Sequence, residues 1–173
     1  MPRTEKGENI MSIEKINILV VDDEEAFLQS MTKRLTVRDF NVTAVNRGDK
    51  ALEAAKHNSF DIALVDLKMP GMNGEATLEA LKKEHPFMEV VILTGHGSID
   101  SAVECTRSGA YCYLQKPCDL DYLLQVLSEA FKKRLINKKN IRNEQLEKLL
   151  DMVDSSSPLA ILRKMKELDG QNI

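Results

Sequence analysis

Four ionisable side chains and one hydroxyl stand where runs of apolar residues stop. Asp22 and Asp23 follow INILVV (Ile16–Val21), Asp66 follows IALV (Ile62–Val65), Thr94 follows VVIL (Val90–Leu93), and Lys116 comes just after YCYL (Tyr111–Leu114). Three carboxylates gathered in one place repel each other unless positive charge lies among them. Oxygen-only donors of this kind suit a hard cation, and Mg²⁺, which keeps several waters, fits them best. A Mg²⁺ site with an ammonium and a hydroxyl beside it is the equipment of phosphoryl transfer. The cation and Lys116 neutralise the equatorial oxygens, and Thr94 donates a hydrogen bond to one of them. A carboxylate can itself be the nucleophile that takes the phosphoryl group. Asp66, followed closely by Pro70, Gly71 and Gly74, is the best placed of the three.

That chemistry requires the four runs to share an edge. INILVV, IALV and VVIL are nearly continuous in apolar residues, which suits strands covered on both faces; NVTAV (Asn41–Val45) supplies a fifth run. Between them lie segments with helical spacing: Phe27, Leu28, Met31 and Leu35; Ala51, Leu52, Ala54 and Ala55; Leu78 and Leu81; Ala102, Val103 and Cys105. Strand alternating with helix predicts βαβ units and a parallel sheet. The expected fold is a three-layer, doubly wound α/β domain with five parallel strands. Strand carboxyl ends then lie on one edge, where open α/β sheets bind their ligands. Ser98 and Asp119 are suited to cap helix amino termini, and Gly109 to close a helix.

The 173 residues suffice for one such domain and an appendage. A net charge of −3 gives the whole chain no electrostatic reason to seek nucleic acid or an anionic membrane. No apolar run is long enough to span a bilayer, and the polar start, residues 1–13, reads as a disordered tail without a signal peptide. Cys105, Cys112 and Cys118 form no framework and no CxxC pair, so they read as reduced thiols of a cytoplasmic protein. His57, His85 and His96 lack metal-ligand spacing, and His85, before Pro86, reads as a solvated helix-end residue.

Asp22-Asp23, Asp66 with its tail LKMPGMNG, LTGHGS after the fourth strand, and YLQKP together resemble the receiver domain of bacterial two-component response regulators. The likeness spans residues 14–134, with the motifs in order at the expected strand ends. It implies a flavodoxin-like fold with strand order 2-1-3-4-5 and phosphorylation of Asp66 by a histidine kinase or phosphotransfer protein. It implies Mg²⁺ held by the side chains of Asp22, Asp23 and Asp66 and the backbone carbonyl of Lys68. Thr94 and Tyr113 become a switch pair, Lys116 the ion-pair partner of the phosphoryl group, and the Lys116–Pro117 bond cis. Lys68 and His96 fall on positions that tune the loss of the phosphoryl group to water. The long, charged Lys68 obstructs that water and predicts a lifetime of minutes or more.

Residues 135–173 read as a helical extension. Leu120, Leu123, Leu124, Leu127 and Phe131 set a helical period that weakens through Leu146 and Val153, and Pro158 opens a last short helix. No DNA-binding or ATPase output domain is recognisable, and a glycine-rich phosphate loop is absent. The basic stretch Lys132, Lys133, Arg134, Lys138, Lys139 and Arg142 lacks aromatics for stacking and reads as a solvated helix face, so DNA binding is not expected. Output is expected through protein–protein contact or self-association, using the face of the fourth helix, fifth strand and fifth helix together with the extension. The expected function is a phosphoacceptor switch that catalyses its own phosphorylation and dephosphorylation, not a turnover enzyme. Two alternatives stand beside it: a receiver-like scaffold that is never phosphorylated, and a Mg²⁺-dependent aspartyl phosphatase. The second usually needs an acid two residues after the nucleophile, where this chain has Lys68.

Overall fold

The structure, a computed structural model, describes residues 15–153, with side-chain surroundings as far as residue 148. The expected tail over residues 1–13 and the short helix after Pro158 lie outside the described residues. The elements run β1 (Asn17–Val21), α1 (Glu25–Thr36), β2 (Asn41–Val45), α2 (Gly48–His57), β3 (Ile62–Val65), α3 (Gly74–Glu84), β4 (Glu89–Thr94), α4 (Ile99–Arg107), β5 (Cys112–Gln115) and α5 (Leu120–Val153). All strand pairs are parallel, in the order β2-β1-β3-β4-β5. This is the flavodoxin-like, three-layer α/β fold expected from the alternation of strand and helix.

Both faces of the sheet are covered, which explains why β1, β3 and β4 are apolar at nearly every position. Ile18, Val20, Ile62, Leu64, Val91 and Leu93 pack on Leu28, Met31 and Leu35 of α1 and on Leu123, Val126 and Leu127 of α5. The alternate residues Leu19, Val21, Ala63, Val65, Val90 and Ile92 pack on Ala51 and Ala55 of α2, Leu78 and Leu81 of α3, and Cys105 of α4. Period-two alternation thus sends each strand's side chains to opposite layers.

Local chemistry sets the helix ends. Ser98 and Ser101 form a reciprocal capping box at the start of α4, Asp119 Oδ1 accepts from Tyr122 N (3.0 Å) at the start of α5, and Asn73 caps α3. Gly109 closes α4 at φ +94°. The fifth strand lies one residue later than its apolar run suggests. The register pairs Val91 with Cys112 and Thr94 with Gln115, and Tyr111 only approaches it through a bond to Val90 O.

The helix α5 continues through Arg134 without a break. The basic stretch there is not uniformly solvated, which corrects the sequence reading. Arg134 is 5% exposed, its Nε donating to Asp61 Oδ1 (2.7 Å) and Nη1 to Phe87 O (3.0 Å). Lys133 reaches the buried Glu89 at 3.4 Å, and Asn137 lies 3.5 Å from the same carboxylate. The buried Glu89 and the half-buried Asp61 at the amino edge of the sheet need partners, and α5 supplies them. His85 is likewise half-buried, with Nε2 shielded from solvent and without a partner among the described residues.

Candidate functional site

Backbone ladders carry the site residues one step past the strands. Asp22 N donates to Val45 O (3.2 Å), Asp66 N to Val21 O (2.9 Å) and Lys116 N to Thr94 O (2.8 Å). The side chains at the tips of β1, β3, β4 and β5 are therefore held on one edge by the sheet itself. Oxygen atoms of Asp22, Asp23 and Asp66 lie within 4.8 Å of one another. Asp22 and Asp66 are buried and Asp23 is exposed, so the cluster opens to solvent on one side.

The acids differ in their partners. Asp22 Oδ1 accepts from Glu24 N (2.9 Å), and Oδ2 from Lys116 Nζ (2.5 Å). Asp66 Oδ1 accepts from Leu67 N (2.9 Å), while its second oxygen has no protein partner among the described residues. Burial, aided by the Asp66 charge, raises the Asp22 carboxyl above its ordinary value, against the lowering effect of Lys116 and the Glu24 N–H. Burial by itself depresses the Lys116 ammonium, but Asp22, Asp66 and Glu24 outweigh it and hold that group above its usual value. One lysine thus faces four acids, Asp22, Asp23, Glu24 and Asp66. Such an oxygen-rich, under-neutralised set fits a small hard cation.

Lys116 itself is bonded away from Asp66. Its Nζ also lies 3.3 Å from Glu24 Oε1 and 4.0 Å from the centroid of the Phe27 ring. Glu24 and Phe27 were not legible as site residues: past Asp22 and Asp23, an acid that opens α1 reads as a helix-start residue, and an aromatic in α1 reads as core. Thr94 is fully buried, and its Oγ1 accepts from His96 N (3.2 Å). Tyr113 is half-buried, with its hydroxyl 3.1 Å from Ser101 Oγ. The Lys116–Pro117 bond is cis. Lys68 and His96 are both exposed and line a groove of about 750 Å³ together with Leu67, Asn73 and Ser98. No backbone N–H bonds to the Lys68 carbonyl among the described residues.

The loop after Asp66 is shaped by glycine. Gly71 takes φ +77°, and Gly74 N returns to Leu67 O (2.8 Å). A Cβ on Gly74 would fall 2.2 Å from the Asp66 carbonyl oxygen, so the first turn of α3 packs directly on the Asp66 backbone. The cysteines take no part. Cys105 is buried, its thiol pushed up to about 11 by burial, and burial also raises Cys112 and Cys118.

Fold and site together define a flavodoxin-like domain with an acidic, lysine-bridged cleft at the carboxyl edge of its sheet. The chain belongs to the response regulator receiver domain family, which residues 18–128 match. It is a receiver of the two-component kind. It is similar to the transcriptional regulatory protein ZraR of Klebsiella oxytoca, 41% identical over 120 residues, 69% of this chain and 27% of that one. It is also similar to the DNA-binding transcriptional regulator NtrC of Klebsiella pneumoniae, 34% identical over 111 residues, 64% of this chain and 24% of that one. A CheY-like receiver domain protein from Methanospirillum hungatei superimposes with a TM-score of 0.70 at 29% identity, over 72% of this chain and 99% of that one. The chain spans about a quarter of the length of the curated relatives it matches. The expectation against DNA binding draws no support from these relatives, one of which is a DNA-binding regulator by name. No helix among the described residues is long and apolar enough to cross a membrane.

Proposed function

We propose that Asp66 is the phosphoacceptor of a Mg²⁺-dependent switch. The observation that carries this reading is the clustering of Asp22, Asp23 and Asp66 oxygens within 4.8 Å, at a strand edge that also carries Thr94 and Lys116. Asp22, Asp23 and Asp66 would hold the metal by their side chains and Lys68 by its carbonyl. When bound, Mg²⁺ supplies the positive charge that lets three carboxylates and the oxygens of a phosphoryl group share one cleft.

The unpartnered Asp66 oxygen attacks phosphorus, forming an O–P bond as the P–N bond of a phosphohistidine on a partner kinase breaks. The electron pair of that bond leaves with the imidazole nitrogen. Lys116, already at the rim, has a second anion to serve once the phosphoryl group arrives, and Thr94 Oγ1 can exchange His96 N–H for a phosphoryl oxygen. Tyr113 follows that exchange as the second half of the switch. The acceptor groups lie on this chain, so a small acyl phosphate serves as donor without the kinase.

The phosphoryl charge is read as a shift between two conformations of α4, β5 and α5. Ile99 at 84% exposure, with Val103 and Tyr122, gives that face apolar surface for a protein partner. Leu135, Ile136, Ile141 and Leu146, also exposed on α5, add apolar surface for a partner or a second copy.

Intact mass with and without an acyl-phosphate donor and Mg²⁺, beside Asp66→Ala, tests the reading. One added phosphoryl group, absent from the variant, is the expected result. A folded protein that gains none overturns it and returns the scaffold alternative. Solution molecular weight in the same samples shows whether the output is self-association.

A further inference from the structure

The side chain of Tyr113 ends in a notch at the start of α4. Ser101 Oγ donates to Ser98 O (2.9 Å) and accepts from Ser98 N (2.9 Å), closing the capping box. Its other lone pair faces Tyr113 Oη at 3.1 Å, with Ser98 Oγ a weaker competitor at 3.2 Å. Either hydroxyl can donate in this contact, so it joins the two side chains whichever proton is used. The notch exists because residue 97 has no side chain: a Cβ on Gly97 would lie 1.9 Å from Tyr113 Oη and 2.9 Å from Cζ.

We propose that Gly97 and Ser101 form a receptacle for Tyr113, and that Ser101 is a positioning residue joining the β5 aromatic to the amino-terminal cap of α4. The four residues between Thr94 and α4, Gly95 to Ser98, are thereby tied from two sides. Thr94 Oγ1 holds His96 N, and Tyr113 occupies the space over Gly97. Ile99, the most exposed large apolar residue described, opens α4 immediately after this loop. A change in the Thr94 hydroxyl reaches that surface through a loop whose other anchor is the Tyr113–Ser101 bond. The receptacle stands on geometry alone, whereas its link to phosphorylation rests on the function proposed above.

Tetranitromethane nitration of the three tyrosines, followed by peptide mass spectrometry, tests this in the unphosphorylated full chain. The half-exposed Tyr122 is the internal reference. Tyr113 is expected to react more slowly than Tyr122. Ser101→Ala should accelerate it about fivefold, the equivalent of one ordinary hydrogen bond, and Ser101→Thr should restore the slow rate. Gly97→Ala should accelerate it further while leaving the protein folded, since the atom it strikes is the free end of a ring. Equal rates in wild type, Ser101→Ala and Gly97→Ala overturn the receptacle.

Repeating the measurement with an acyl-phosphate donor and Mg²⁺ tests the link. The Tyr113 rate should change in the wild type and stay constant in Ser101→Ala; a change that persists in the variant overturns the positioning role. If Asp66 gains no phosphoryl mass, the phosphoacceptor reading fails, and the unphosphorylated comparison still decides the receptacle.

Discussion

Lys116 and Asp22 meet tip to tip, Nζ to Oδ2 at 2.5 Å, although β3 and β4 separate their strands in the sheet. The lysine therefore spans the cleft above Asp66. It neutralises the most buried of the three acids, and the cleft still carries more negative than positive charge. That arrangement leaves one Asp66 oxygen without a protein partner among the described residues.

Lys116→Met strips Asp22 of its only cationic partner among the described residues while keeping the aliphatic bulk over Phe27. Because Asp22 is nearly inaccessible, the expected loss is about 2–3 kcal/mol in chelator. Mg²⁺ should recover much of it, since either cation satisfies the same carboxylate. Urea denaturation of wild type and variant, each with chelator or Mg²⁺, checks this. A loss that Mg²⁺ leaves unchanged counts against a shared cation site.

The Asp22 carboxyl, raised by burial and by the Asp66 charge, sets a pH dependence of opposite sign to an ordinary salt-bridged acid. Above its ordinary value of 3.8 the unfolded chain releases this proton while the folded chain keeps it. Stability from this residue therefore falls as pH rises from 3.8 to the raised value, and is level beyond. The proposed Mg²⁺ would bind the charged form, so its stabilising effect should grow through the same window. Thermal midpoints across acid and neutral pH, in chelator and in Mg²⁺, test both slopes, and Asp22→Asn should flatten them. Lys116 has the complementary sign. Its contribution is complete below the ordinary lysine value and is lost as pH climbs through its raised one.

The strand tips were legible because an apolar, β-branched run that stops on Asp or Thr has few other readings in an alternating α/β chain. The fold followed from the same alternation, and the capping residues from local hydrogen-bond chemistry that needs no tertiary context. What stayed hidden depends on neighbours far apart in sequence. Glu24 and Phe27 touch Lys116 only because the segments that follow β1 and β5 meet across the tips of β3 and β4, 92 residues apart in the case of Glu24. Arg134 sits in a stretch whose composition signals a solvated face, and only the position of Asp61 below α5 draws it inward. Ser101 and Gly97 gain their role from where the Tyr113 ring ends, which no spacing along the chain reveals.

Arg134→Ala should destabilise the domain by about 3 kcal/mol. The guanidinium joins α5 to Asp61, which precedes β3, and to Phe87 O, which precedes β4; removing it leaves Asp61 with the Asn17 N–H alone. The neighbouring Lys132→Ala, in contrast, alters an exposed residue and should change stability little. Urea midpoints for the two variants decide whether the basic stretch is structural at Arg134. Equal, small effects would return it to a solvated face.

Lys68 and His96 stand on the loops that follow β3 and β4, and both line one groove with Leu67, the neighbour of Asp66. Water that hydrolyses an aspartyl-phosphate must approach phosphorus opposite the Asp66 oxygen, and a long side chain at residue 68 narrows that approach. Lys68→Gly should therefore shorten the phosphoryl lifetime, and Lys68→Met, similar in length without the charge, should keep most of it. Loss of phosphoryl mass with time after removal of the donor measures all three proteins at fixed Mg²⁺. If Lys68→Met shortens the lifetime as much as Lys68→Gly, the ammonium acts by charge, holding the phosphoryl oxygens, and steric obstruction is the wrong account.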